Sequence, residues 1–178
     1  MDAHSKAAPA QPILAALEGI LFDCDGVLTP GDLFFDEKGA RLLRFHARDG
    51  VGLALFCKSA NLKAGILSGR PIHIAERRFA QLGVTGFKGN SRNKYEDALA
   101  MCEELGISPE HTAFVGDDLP DLGAFRAVGL KIAVNDAVPE LVDAADWVLN
   151  TPGGFGVARE ICEAVLKARG DWQRLLKA

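Results

Sequence analysis

The sequence predicts an α/β fold: a doubly wound parallel sheet with a β-hairpin inserted after its first strand and no separate cap domain. Short runs rich in Ile, Leu and Val alternate with longer amphipathic stretches, the pattern of buried parallel strands covered by helices on both faces. Several of the helical stretches are followed by glycine, at Gly83, Gly106 and Gly129, as helix C-termini often are. One segment, from Asp32 to Phe45, breaks the alternation.

The polar, Ala-rich start, 1–12, reads as a loose tail, 13–170 as one domain, and 171–178 as a C-terminal tail. Strands are expected at Gly19–Asp23, Ala64–Leu67, Gly86–Lys88, Thr112–Val115, Lys131–Val134 and Trp147–Leu149. Helices are expected at Gly50–Ala60, Ile72–Leu82, Tyr95–Leu105, Leu119–Val128 and Val157–Ala168. Asp32–Phe35 and Arg41–Phe45 flank the turn Asp36-Glu37-Lys38-Gly39 and form the expected hairpin.

At 178 residues the chain can bury a continuous core without disulfides or a structural metal. Its formal net charge of -4, with acids and bases interspersed, lacks the basic footprint of a nucleic-acid binder. No apolar run approaches the roughly 20 residues that span a bilayer, and the start lacks the basic-then-apolar order of a signal peptide. Cys24, Cys57, Cys102 and Cys162 form no C-x-x-C pair, which suits a reducing compartment and places the protein in the cytoplasm.

In open α/β sheets ligands bind beyond the carboxyl ends of the strands. The first strand there delivers Asp23 and Asp25 (GILFDCDGVLTPG) and the second Ser68 (AGILSGR). The third leads through KGNSRNK to Lys94, and the fourth, AFVGDDLPD, delivers Asp117 and Asp118. Burying unpaired acids is costly, so their convergence implies a use. Two or three carboxylates with backbone carbonyls suit Mg²⁺, which accepts substrate phosphate oxygens as further ligands. A carboxylate is also a nucleophile for phosphoryl transfer where positive charge offsets the repulsion of two anions; Lys94 and the metal would supply that charge. Asp23 would attack, Asp25 would donate a proton to the leaving oxygen and later take one from water, and Gly26 would keep the turn open. Strand alternation turns Cys24 away from both acids, into the core. Asp121 reads either as a helix first-turn acid or as a site residue, and His46 and Arg48 either as a polar hairpin edge or as site residues.

DCDGVLT, SGR, a lysine after the third strand and GDDLPD, in that order, resemble the four motifs of the haloacid dehalogenase superfamily of phosphatases, over about Glu18 to Leu166. FHARDGVG, GDDLPDL and TPGGFGVARE are similar to the branch acting on 3-deoxy-D-manno-octulosonate 8-phosphate and on sialic-acid 9-phosphates. The resemblance implies a Rossmann-like, capless fold and Mg²⁺-dependent hydrolysis of a small phosphorylated sugar acid. The first of these substrates, a lipopolysaccharide precursor, is expected, with a sialic-acid-type 9-phosphate as the alternative. By motif, Asp23 is the nucleophile and Asp25 the acid/base. Asp23, the backbone carbonyl of Asp25 and Asp117 would bind the metal, and Asp118 would support it. Ser68 and Lys94 would hold the phosphoryl group, and Thr29, Arg48, Asp49, Gly69 and Arg70 would contact substrate. Phe155, Pro30 and Asn93 depart from the pattern, which carries Arg, Asp and Asp there; Phe155 bears on the substrate's carboxylate and leaves the phosphoryl chemistry untouched.

Two other classes compete. A receiver domain would need its acid pair at the first strand and its phosphoacceptor on a later one, and a non-catalytic sugar-binding or assembly homologue would lack the nucleophile or the lysine. The short intervals from Gly26 to Ser68 and from Ser68 to Lys94 leave no room for a cap domain. Leu33, Phe34, Phe35, Leu42, Leu43 and Phe45 are too apolar for a free ribbon, since an isolated hairpin is only marginally stable in water. A homo-oligomer is expected, a tetramer by resemblance, with each hairpin or C-terminal region bordering a neighbour's site.

Overall fold

The computed structural model describes residues 6–177. Six parallel strands, β1 (Gly19–Phe22), β4 (Lys63–Leu67), β5 (Gly86–Lys88), β6 (Thr112–Gly116), β7 (Leu130–Ala133) and β8 (Trp147–Val148), form a sheet in the order β5-β4-β1-β6-β7-β8. β2 (Phe34–Phe35) and β3 (Arg41–Leu42) are the separate hairpin. The chain winds outward from β1 in both directions, so the strand order reverses there and leaves a crevice at the carboxyl ends of β1, β4 and β6.

Side-chain alternation along the strands sorts the core. Ile20, Phe22, Ala64, Ile66, Ala113 and Val115 pack with buried residues of α2 (Ala47–Ala54), α3 (His73–Phe79) and α7 (Val157–Ala168). Leu21, Leu67, Phe114 and Ala133 pack with those of α4 (Lys94–Leu105), α5 (Asp121–Phe125) and α6 (Pro139–Ala144). Phe22, Phe56, Phe79, Phe114 and Phe125 are all fully buried, each stabilising the fold by about 1.5–3 kcal/mol. Phe22 lies level with Ile66 and with Val115, so Asp23 and the residues after Leu67 and Val115 emerge on one rim.

The doubly wound sheet is as expected; the boundaries shift where tertiary contacts decide them. The second helix begins at Ala47 rather than Gly50 and ends in a π turn, Leu55–Ser59. Gly52 serves close contact with α7, since a Cβ there would lie 2.9 Å from Arg159 Cα. Three short helices, α1 (Gln11–Ala15), α6 and α8 (Trp172–Leu175), are too brief to show periodicity. The hairpin pairs only Phe34 with Leu42 and Phe35 with Arg41, because Phe45 leaves the ribbon to stack edge-on against Phe79 at 5.0 Å. Of the expected tail 1–12, residues 1–5 lie outside the described part. The rest is anchored from Lys6 on: its Nζ donates to Asp143 O at 2.8 Å and Ala145 O at 2.7 Å, and its carbonyl accepts from Val148 N. The C-terminal stretch likewise carries α8.

Asp49, expected to contact substrate, is instead 1% exposed. Its Oδ1 accepts from Arg159 N at 2.9 Å, capping α7, whose N-cap residue is Gly156 and has no side chain to do so. Burial, partly offset by this hydrogen bond, raises the carboxyl above its ordinary 3.8. With the folded pKa above the unfolded one, Asp49's contribution to stability is greatest below 3.8 and declines as pH rises through the folded value. Asp49→Asn, which keeps the acceptor and removes the charge, is expected to abolish that decline. Asp49→Ala is expected to lose about 0.5–2 kcal/mol; thermal unfolding at mildly acidic and neutral pH checks both.

Candidate active site

β1 carries apolar side chains up to its last residue, and the ladder continues one step further: Asp23 N donates to Val115 O at 2.9 Å. Asp23 is thereby held rigidly although it follows the strand. The chain then turns back on itself, Leu28 N and Thr29 N both donating to Cys24 O at 3.0 Å. Gly26 sits at φ +95° in this turn, and a Cβ there would overlap the Asp117 carboxylate, so only glycine fits. Cys24 is buried in the core, as alternation predicts, and burial pushes its thiol up. Thr29, expected at the substrate, is buried, and its Oγ1 accepts from Gly31 N at 3.3 Å; it shapes the turn rather than facing the cavity.

The other rim strands complete the site. Ser68 N donates to Lys88 O, and Ser68 Oγ accepts from Arg70 N at 3.1 Å. Lys94 opens α4 behind an Asn93 cap whose side chain accepts from Glu96 N; asparagine caps there as aspartate would. A cavity of about 220 Å³ is lined by Asp23, Asp25, Ser68, Gly69, Arg70, Lys94, Asp117 and Asp118, together with Pro120 and Asp121. Arg48 is exposed on the first turn of α2 and does not line it. Nor does Phe155, whose exposed ring lies 4.6 Å beneath the Arg44 guanidinium.

Two further residues bear on the site: Asp121, for which the sequence left a site role open, lines the cavity, and Arg41, which the sequence did not mark, touches one of the lining acids. Asp121, 1% exposed, accepts from Lys94 Nζ through Oδ1 at 2.5 Å, and through Oδ2 from Asp117 N at 2.9 Å and Asp118 N at 3.3 Å. Its spacing from Asp117, one helical turn, was the available signal. Arg41, on β3, bonds and ion-pairs with Asp25 Oδ1. No local pattern marks it, because its reach depends on how the ribbon folds over the turn.

Lys94 Nζ also lies 2.6 Å from Asp23 Oδ1, so one buried ammonium joins two buried carboxylates. Burial opposes its charge, but Asp23 and Asp121 overcome that and raise its pKa. The balance still favours the acids: Asp23, Asp117 and Asp121 each bring an oxygen within 4.8 Å of the others. Burial, then repulsion from Asp121, pushes Asp23 up to about 7; burial, then Asp23, pushes Asp117 up to about 8. A hard divalent cation fits this excess of negative charge. Asp121 is already engaged through both oxygens, so Asp23 and Asp117 are the better ligands and Asp121 braces them from behind.

A family model described as haloacid dehalogenase-like hydrolase matches residues 43–129. A 3-deoxy-D-manno-octulosonate 8-phosphate phosphatase, KdsC, from Haemophilus influenzae is 38% identical over 160 residues, covering 90% of this chain and 88% of its own. KdsC from Escherichia coli K12 is 38% identical over 161 residues, 89% of this chain and 85% of its own. The crystal structure of 3-deoxy-D-manno-octulosonate 8-phosphate phosphatase from Moraxella catarrhalis, in complex with magnesium, phosphate and KDO, is similar at a TM-score of 0.88 and 29% identity. It covers 94% of this chain and 95% of that one.

Removing Lys94 would leave its buried acids facing one another, and breaking such a pair costs about 3–5 kcal/mol. Lys94→Ala is therefore expected to unfold at lower temperature than the wild type without metal, and to recover more of its melting temperature than the wild type does when Mg²⁺ is added. Scanning calorimetry with and without Mg²⁺ reads both.

Proposed function

The chain belongs to the haloacid dehalogenase-like hydrolases, in the branch of the KdsC phosphatases, and from that premise we propose that it hydrolyses 3-deoxy-D-manno-octulosonate 8-phosphate to the free sugar acid and phosphate. One observation carries the reading: Asp23, Asp25, Ser68, Lys94 and Asp117 line one cavity at the switch point of the sheet, with the lysine bound to the first of them.

In this reading the Asp23 carboxylate attacks phosphorus while the bond to the sugar oxygen breaks, and Asp25 gives that oxygen its proton. Water then attacks the aspartyl-phosphate, Asp25 takes the water's proton, and phosphate leaves with Asp23 restored. Ser68, with Gly69 and Arg70, holds the phosphoryl oxygens, and Lys94 offsets the charge that gathers as two anions meet. Mg²⁺, held by Asp23, Asp117 and the Asp25 carbonyl with Asp118 in support, supplies further neutralisation when bound. A sialic-acid-type 9-phosphate is the alternative substrate. A receiver domain is disfavoured because the acid pair and the lysine surround an Asp on the first strand.

Leu33, Phe34, Phe35 and Leu42 leave one ribbon with a run of exposed apolar side chains, which in a soluble protein marks an interaction surface. The proposal includes a homotetramer in which these hairpins pack together and border neighbouring sites, working in the cytoplasm, where the four free, buried cysteines stay reduced.

Asp23→Asn is expected to lower kcat by at least about a thousandfold, and chelation of divalent metal to abolish turnover until Mg²⁺ is restored; near-wild-type phosphate release by Asp23→Asn would refute the nucleophile. Across a panel of phosphomonoesters, kcat/KM should be highest for the sugar-acid 8-phosphate; a preference for esters without a carboxylate refutes the substrate. Light scattering should give the mass of a tetramer, and a fully active monomer at assay concentration rules out shared sites.

A further inference from the structure

The geometry points to Arg41 as a substrate-binding residue supplied by the hairpin. In the free enzyme its guanidinium rests on Asp25; in the occupied site it transfers to an oxyanion of the substrate, phosphoryl or carboxylate. The inference rests on the phosphatase reading above and adds a residue to it.

Arg41 faces against the trend of its ribbon. Phe34, Phe35 and Leu42 beside it are exposed, yet its side chain is 16% exposed and folded down onto the turn after β1. Among the described residues its guanidinium makes one hydrogen bond, through Nη2 to Asp25 Oδ1, and its buried Nε has no acceptor. Asp25 Oδ2 is equally without a hydrogen bond, with Arg70 Nε 3.7 Å away. A guanidinium has five N–H donors in a rigid fork, and leaving buried donors unused is costly. The fork matches a planar carboxylate or a phosphate face in two parallel bonds, which one Asp25 oxygen does not provide.

Charge points the same way. A phosphorylated sugar acid brings a phosphoryl dianion and a carboxylate into a cavity already lined by acids. Lys94 is committed to Asp23 and Asp121, and Arg70 is half exposed at the mouth. Arg41, like Arg70, has donors to spare, but only Arg41 of the two is folded down onto Asp25, where the leaving oxygen arrives in the phosphatase reading. Because Arg41 lies on β3, its contact with substrate also fixes the ribbon over the cavity.

The test compares Mg²⁺-loaded wild type, Arg41→Ala and Arg41→Lys on 3-deoxy-D-manno-octulosonate 8-phosphate and on p-nitrophenyl phosphate, which shares the phosphoryl group and lacks the carboxylate. Arg41→Ala is expected to raise KM by at least about tenfold while kcat changes less, with partial rescue in Arg41→Lys. A rise confined to the sugar-acid ester assigns the carboxylate, and a rise on both esters assigns the phosphoryl oxygens. Unchanged KM on both overturns the proposal. Should the wild type cleave p-nitrophenyl phosphate and no sugar-acid phosphate, the substrate reading fails, and Arg41 stands or falls on KM for the simple ester alone. Calorimetric titration of inorganic phosphate and of the free sugar acid reads the contact without turnover: at least about tenfold weaker binding of one of them to Arg41→Ala supports it, and unchanged binding of both overturns it. If Arg41→Ala fails to fold, Arg41→Lys and Arg41→Gln carry the same comparisons.

Discussion

The buried ammonium of Lys94, shared between Asp23 and Asp121, is the interaction on which the rest of the site depends. It permits the carboxylate of Asp23 to sit buried in the wall of the cavity, because an isolated charge there would cost far more than the fold could supply. It also links three elements: β1 through Asp23, the start of α4 through Lys94 itself, and the start of α5 through Asp121. Asp121 extends the link to the backbone of Asp117 and Asp118, so the loop that presents Asp117 is tied through Lys94 to Asp23.

The sheet and the rim residues were legible because each depends on local pattern: short β-branched runs, glycines closing helices, acids directly after apolar strands. Asp23, Ser68, Lys94 and Asp117 could be placed together once the strands were parallel, since topology brings their carboxyl ends to one edge. What escaped depends on contacts distant in sequence. Asp49 and Thr29 lie in family-like motifs, and that motif context suggested substrate. Their side chains instead satisfy backbone donors, Arg159 N and Gly31 N, and no sequence pattern distinguishes such a cap from a ligand contact. Arg41 escaped for the opposite reason: an arginine in an exposed ribbon resembles a solvated one until the ribbon is folded back.

The hairpin is therefore of two kinds at once. Its phenylalanines and Leu42 are exposed, while Arg41 among them folds down onto Asp25. The ladder joining its arms is two residue pairs long, and the turn is held by Asp36, whose Oδ1 accepts from Lys38 N and Ala40 N. So short a ribbon has little stability of its own, and its position is set by what its two faces touch.

The loop between β8 and α7 reaches back to the first turn of the site, where Gly154 N donates to Val27 O at 2.8 Å, while Gly153 N ties the loop to Asp136 Oδ1, after β7, at 2.8 Å. The bend that carries Asp25 is thus buttressed by residues made after all the motif acids and the lysine, and β1, paired early with β4, lacks its second neighbour until β6 has emerged. Contacts so distant along the chain close late, since loop-closure entropy must be met before they form. During translation Asp23 exists long before its pocket does, and a chain cut short ahead of residue 151 would carry every motif acid and the lysine yet leave the turn after β1 without its brace.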